Sequence, residues 1–240
     1  IRNVARLVKK QRDAGDEVAV VVSAMSGTTN HLVKLCNDLN PLHDTAEYDA
    51  VVATGEQVTT GLLAIALQSL GTPARSWQGW QIPILSDDAH GKARVDQIDG
   101  QKLLAAMARG ETPIIAGFQG VTADGRVTTL GRGGSDLSAV AIAAAIKADR
   151  CDIYTDVDGI YTTDPRVVPR ARKLEKISFE EMLELASVGA KVLQTRSVEM
   201  AMKHGVRIQV LSSFADKPGS LVVGEDEIVE KLVVSGVAYS

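Results

Sequence analysis

The sequence predicts an α/β fold, a three-layer αβα sandwich with a largely parallel central sheet. Three observations predict it. Short β-rich apolar runs alternate with helical spacing from one end of the 240 residues to the other. Such alternation builds a parallel sheet covered by helices on both faces. Polar, Gly-containing segments follow Val22, Thr129 and Thr155, and in these sheets ligands bind beyond the carboxyl ends of the strands.

Taken in order, Ile1, Val4, Ala5 and Val8 share one helical stripe with no initiator Met or cap before it. A chain starting inside a helix, as a fragment does, is the expectation. Glu17 to Val22 reads as a strand, followed by helical spacing over His31 to Leu39 and a long helix from about Tyr48 to Leu70. Gly71-Thr72-Pro73 closes that helix. Asp99 to Arg109 reads as a helix and Pro113 to Phe118 as a buried strand. Val121 to Thr128 is a hairpin turning at Asp124-Gly125. An Ala-rich helix over Leu137 to Ala148 precedes a strand at Cys151 to Thr155. Ser178 and Glu181 form a capping box opening a helix over Phe179 to Ser187. A further helix runs from about Lys191 to His204, and Val206 to Leu211 is a strand. Linker character begins only near Pro218.

The composition, 45% hydrophobic and 23% charged with a net charge of −4, suits a globular core and argues against a nucleic-acid partner, which needs clustered basic surface. The basic residues of Arg166 to Lys176 read as a solvated loop. Cys36 and Cys151 lie far apart without zinc spacing, as buried reduced thiols of a cytoplasmic protein do. No run of about 18 apolar residues and no signal-peptide pattern occurs, so no membrane partner is expected. His31, His43, His90 and His204 share no motif with a nucleophile and read as surface or capping residues.

Chemistry concentrates in Thr128-Thr129-Leu130-Gly131-Arg132-Gly133-Gly134-Ser135-Asp136, between a strand and a helix. Its glycines let backbone N–H groups converge on an anion, the helix adds its positive end, and Arg132 adds a fork for carboxylate or phosphate. The Walker A ending is missing. A tight turn capped by Ser135 or Asp136 explains the same residues. Asp136 beside a bound phosphate repels it unless the carboxylate holds a metal, a lysine or a ligand ammonium, and a ligand with both charges, such as an amino acid, fits. Tyr154 to Arg166 carries acids, hydroxyls, an aromatic ring and a cation, the mix for a nucleotide, and equally the composition of a turn-rich loop. Glu56, in Thr54-Gly55-Glu56-Gln57, serves the helix dipole in the plain reading and is a partner for an ammonium if it faces a cleft.

Together these segments, with Val21 to Asn30, Ala116-Gly117-Phe118-Gln119-Gly120 and Lys191-Val192-Leu193, resemble the aspartokinases, within the wider amino acid kinase family. The matches span nearly the whole chain, and the segment from Thr155-Asp156 to Pro165-Arg166 is particularly specific. The resemblance implies an amino acid kinase fold and ATP-dependent phosphorylation of the aspartate side-chain carboxylate, the opening step towards lysine, threonine and methionine. It implies that Ser23, Thr29, Glu56, Phe118, Arg132, Ser135 and Asp136 line the aspartate pocket, with Arg132 and Asp136 closest to the chemistry. Thr155, Asp156, Tyr161, Arg166 and Lys191 hold ATP, and Mg²⁺ bridges phosphate oxygens without a protein metal site. Two rivals stand beside it: another family member with a different acceptor, and a non-catalytic nucleotide- or amino-acid-binding module.

The same resemblance sets a domain expectation. Residues 1–224 are the catalytic domain without its first strand, and 225–240 lead towards an ACT regulatory region. Aspartokinases begin with a strand and a Lys-Phe-Gly-Gly-Thr-Ser segment, which does not occur in these 240 residues. Weak activity is therefore expected of the chain as given. Family members associate, so a homo-oligomer or a complex with ACT-domain chains is the expected assembly.

Overall fold

The computed structural model describes residues 1–187 and 192–228. The chain divides into two compact units, residues 1–138 and 139–240.

In the first unit, α1 (Arg2–Asp13), β1 (Val20–Val22), α2 (Thr28–Leu39), α3 (Thr45–Val52) and α4 (Thr54–Ser69) are followed by β2 (Ala74–Trp77), β3 (Ile84–Ser86) and β4 (Val95–Ile98). Then come α5 (Gln101–Ala108), β5 (Thr112–Ala116), β6 (Gln119–Val121), β7 (Val127–Thr129) and the start of α6 (Gly134–Ile146). β5 lies between β1 and β2, parallel to both. Every residue of β5 is buried, as a central parallel strand requires. Helices α1 and α4 close over this sheet through Ala5, Val8, Leu63, Ala64 and Leu67, which meet Val22, Ala74 and Ile114. Truncating a fully buried leucine such as Leu67 to Ala costs about 2–5 kcal/mol. A second sheet has the order β4-β3-β6-β7, in which β6 and β7 form the predicted hairpin with Val121 opposite Val127.

The second unit takes the rest of α6, then β8 (Cys151–Thr155), β9 (Ile160–Tyr161), β10 (Lys173–Leu174), β11 (Lys176–Ser178), α7 (Phe179–Ser187), α8 (Thr195–His204), β12 (Ile208–Ser212) and β13 (Ser220–Val223). β8 and β12 run parallel, as do β11 and β13. Val140, Ile153, Met182, Val198, Ile208 and Val222 centre the core of this unit. The capping box forms as read: Glu181 N–H donates to Ser178 Oγ and Ser178 N–H to Glu181 Oε2, both at 3.1 Å. Cys36 and Cys151 are buried free thiols.

Several expectations need correction. Of the predicted stripe on α1, Ala5 and Val8 are buried but Ile1 and Val4 stay about two-fifths exposed. The helix read over Tyr48 to Leu70 is two helices, α3 and α4. Asp44 opens α3 by accepting the Ala46 and Glu47 N–H groups. The break falls at Ala53, whose carbonyl accepts Gln119 Nε2 at 3.2 Å and so leaves the helical ladder. By length and composition Thr45–Ser69 could cross a membrane, but half of that window is buried inside the chain. Strands β2, β3, β4 and β13 carry no clear local signal in the sequence and were not expected. His90 is not a surface residue: its side chain is 14% exposed and its Nδ1 lies 2.8 Å from Asp49 Oδ2, on a carboxylate with no exposure at all. The predicted helix start at Lys191 lies outside the described residues.

Candidate active site

The parallel pairing of β1 with β5 brings their carboxyl ends to one rim, where Gly117 N–H donates to Val22 O at 3.0 Å. The loop after β1, the Gly117-Phe118 turn after β5, the first turn of α4 and the Gly131–Asp136 turn into α6 surround a cleft of about 300 Å³. Ser23, Thr29, Glu56, Phe118, Arg132, Ser135 and Asp136, all expected from the sequence, line it together. Ala24, Gly131, Gly133 and Gly134 complete the lining. Close approach of backbone makes this possible: a Cβ on Gly117 would stand 3.0 Å from Val22 O and 3.1 Å from Ser135 Cα.

Charge inside the cleft is unbalanced. Glu56 is 2% exposed, and its Oε1 accepts Ala24 N–H at 2.9 Å, while Oε2 is buried without a partner. Burial raises its carboxyl above the ordinary value, against the lowering effect of the Ala24 bond. Burial alone raises Asp136 in the same way. Arg132 also lines the cleft and is exposed, and no hydrogen bond or ion pair engages its guanidinium among the described residues. The arrangement offers carboxylates to a cation and a planar fork to an anion. Ala24, which supplies the backbone donor that aims Glu56, was missed because nothing in its side chain marks it.

Phe118 lines the cleft from a left-handed backbone, φ 64°. For a bulky residue this costs about 1–2 kcal/mol. Tertiary bonds hold it there: Phe118 N–H donates to Ser138 Oγ at 3.1 Å and Phe118 O accepts Leu130 N–H at 2.9 Å. Ser138 in turn donates to Gly134 O at 2.8 Å, joining the strained residue to the first turn of α6.

In the second unit, Thr155 Oγ1 donates to Asp156 Oδ1 at 3.1 Å, with Asp156 exposed. Tyr161 donates to Asp158 Oδ1 at 2.9 Å, which holds the Asp158 carboxyl below and the Tyr161 phenol above their ordinary values. Arg166 makes a fork onto Asp164, with Nη2 to Oδ2 at 2.8 Å. Thr155 ends β8, Asp156 follows it, Tyr161 ends β9, and Arg166 lies in the segment between β9 and β10. Lys191 lies outside the described residues. Among the described residues no three His, Cys, Asp or Glu side chains group as a metal site.

The amino acid kinase family profile matches residues 1–212. The chain is 56% identical to the aspartate kinase of Pseudomonas putida, an alignment covering 100% of this chain and 59% of that protein. The chain therefore spans less than two thirds of that relative's length. Among solved structures, the aspartate kinase from Synechocystis superposes with a TM-score of 0.82 at 46% identity, covering 93% of this chain and 37% of that one. Aspartokinase III of E. coli, solved in complex with aspartate and ADP, gives a TM-score of 0.82 at 30% identity over 93% of this chain and 60% of its own. The α/β class expected from strand–helix alternation is the class of these folds.

Proposed function

The chain belongs to the amino acid kinase family, and from that premise we propose that it is the catalytic part of an aspartate kinase, transferring the γ-phosphoryl group of ATP to the side-chain carboxylate of L-aspartate. The observation that carries this reading is Glu56, whose Oε1 is satisfied by Ala24 and whose buried Oε2 has no partner on the cleft wall. A buried carboxylate with one open oxygen suits a ligand ammonium. Asp136 adds a second carboxylate, and Arg132 is the matching cation for the ligand's α-carboxylate.

In this reading a side-chain carboxylate oxygen of aspartate attacks the γ-phosphorus of ATP. The bond from that phosphorus to the β,γ-bridging oxygen breaks, and the products are an acyl phosphate and ADP. The nucleophile is already ionised, so no general base is needed. Positioning and cations that spread the phosphoryl charge carry the catalysis. Thr155, Asp156, Tyr161 and Arg166 are assigned to the nucleotide, with Lys191 as the further expected contact. Mg²⁺ is assigned to the nucleotide's phosphate oxygens as part of the substrate.

The same reading assigns residues 1–224 to the catalytic domain and 225–240 to the approach to a regulatory region. It places the protein in the cytoplasm as a homo-oligomer or partnered with ACT-domain chains, at the opening step towards lysine, threonine and methionine. Aspartate-dependent ADP release by the full-length protein, with the acyl phosphate trapped as a hydroxamate, is the test. Release driven by a nucleoside monophosphate or acetylglutamate, with no response to aspartate, overturns the reading.

A further inference from the structure

Asp49 sits on α3 with no exposed surface and is not part of the cleft lining. Its carboxylate nevertheless gathers donors from two separate segments. Thr129 Oγ1 donates to Oδ1 at 2.6 Å, His90 Nδ1 lies 2.8 Å from Oδ2, and Gly91 N–H reaches both oxygens at 3.1 and 3.0 Å. An ionisable group buried this completely is costly unless each oxygen is engaged, and an apolar side chain would fill the space more cheaply. Its retention calls for a use.

Both segments that Asp49 binds converge on the turn that carries Arg132. Thr129 ends β7, three residues before Arg132 in the chain. The segment around Gly91 returns to the same place, because Ala93 N–H donates to Thr129 O at 2.9 Å. It also presses on the turn itself: a Cβ on Gly131 would stand 3.3 Å from Gly91 O and 3.5 Å from Lys92 Cα. Gly131 holds a positive φ of 74°, which glycine adopts without strain and a side chain would resist. One carboxylate thus grips the turn directly through Thr129 and laterally through Gly91.

We propose that Asp49, acting through Thr129 and the His90–Lys92 segment, is a positioning residue that fixes the Gly131–Arg132 turn and so sets the grip of the cleft on the substrate's carboxylate. This rests on the aspartate kinase reading for its substrate, but the turn it fixes can be followed without one.

The experiment uses Thr129→Val, which removes one donor and keeps the side chain's shape, because Asp49→Ala risks losing the fold. In the full-length protein Thr129→Val raises the KM for aspartate about tenfold, with kcat and the KM for ATP within about twofold. Thr129→Ser, which keeps the hydroxyl, restores the parent KM. Hydrogen–deuterium exchange of the 130–134 amides rises in Thr129→Val and not in Thr129→Ser, while the α7 amides exchange as in the parent. Equal behaviour of Val and Ser, or parent-like exchange together with a parent-like KM, overturns the proposal. If the parent itself ignores aspartate, the substrate reading fails, and the exchange comparison alone then supports or overturns the positioning role.

Discussion

Glu56 accepts the Ala24 N–H at 2.9 Å, so the first turn of α4 and the loop after β1 are tied together by a single buried carboxylate. The tie uses only Oε1, and the buried Oε2 has no partner among the described residues. Glu56→Gln keeps an acceptor for Ala24 and removes the carboxylate's charge. The expected outcome is a KM for aspartate raised at least about tenfold, since hydrogen bonds to charged groups contribute about 1.5–3 kcal/mol. Thermal stability stays at or above the parent's. Steady-state kinetics beside a thermal melt checks both, and an unchanged KM removes Glu56 from the substrate's contacts.

Asp136 has a carboxyl raised by burial, with no compensating partner among the described residues. A folded-state pKa above the unfolded one means that the folded chain binds the proton more tightly. The associated stability is complete below the unfolded pKa and is lost as pH rises through the folded one. Asp136→Asn removes the charged form. It should be more stable than the parent at pH 7, on the order of 1 kcal/mol. The gap should narrow as pH falls towards about 4. Urea denaturation across that range without ligand is the measurement, and a gap that widens on acidification contradicts the assignment.

Arg132 is exposed and unengaged among the described residues, so its removal should leave stability within about 0.5 kcal/mol of the parent. Its loss should fall on one substrate. Arg132→Ala is expected to raise the KM for aspartate by about 10² or more and that for ATP only a few-fold. An effect confined to ATP would show that the carboxylate and phosphate assignments are reversed.

Gly134 opens α6 where space is short: an added Cβ would meet Leu130 Cβ and Phe118 Cδ2, each at 2.9 Å. Gly134→Ala should therefore cost about 1–3 kcal/mol, as overpacking does. It should also weaken aspartate binding by pushing Phe118 from its place on the cleft wall. Chemical denaturation and calorimetry with aspartate test the two effects separately.

Much of this was legible locally. The strand Cys151–Thr155, the helix Phe179–Ser187 and the turn at Asp124-Gly125 are written in contiguous residues, and each formed where its pattern lies. The cleft side chains were legible through motifs, since Glu56 and Arg132 lie in short runs with their own chemistry. What escaped was set by distant partners. The break at Ala53 involves Gln119, 66 residues away, a partner that nothing in the local sequence announces. Asp49 and His90 are 41 residues apart, and nothing near either one predicts the other. Strands such as β3, three residues long, are defined by their neighbours and not by a run of their own. Glu56 at a helix start was read most plainly as serving the dipole, and only the loop folded over it reveals the open oxygen.

The Ala53 break has a further consequence. Asp49 lies just before it and Glu56 just after it, one gripping the turn at Arg132 and the other facing the cleft. Adding or deleting a single residue at this joint would rotate one helix against the other by about 100°. Either carboxylate could then keep its bearing, but not both. Spacing is what this joint transmits, and side-chain exchange at its solvent-facing positions should be tolerated far better than any change in its length.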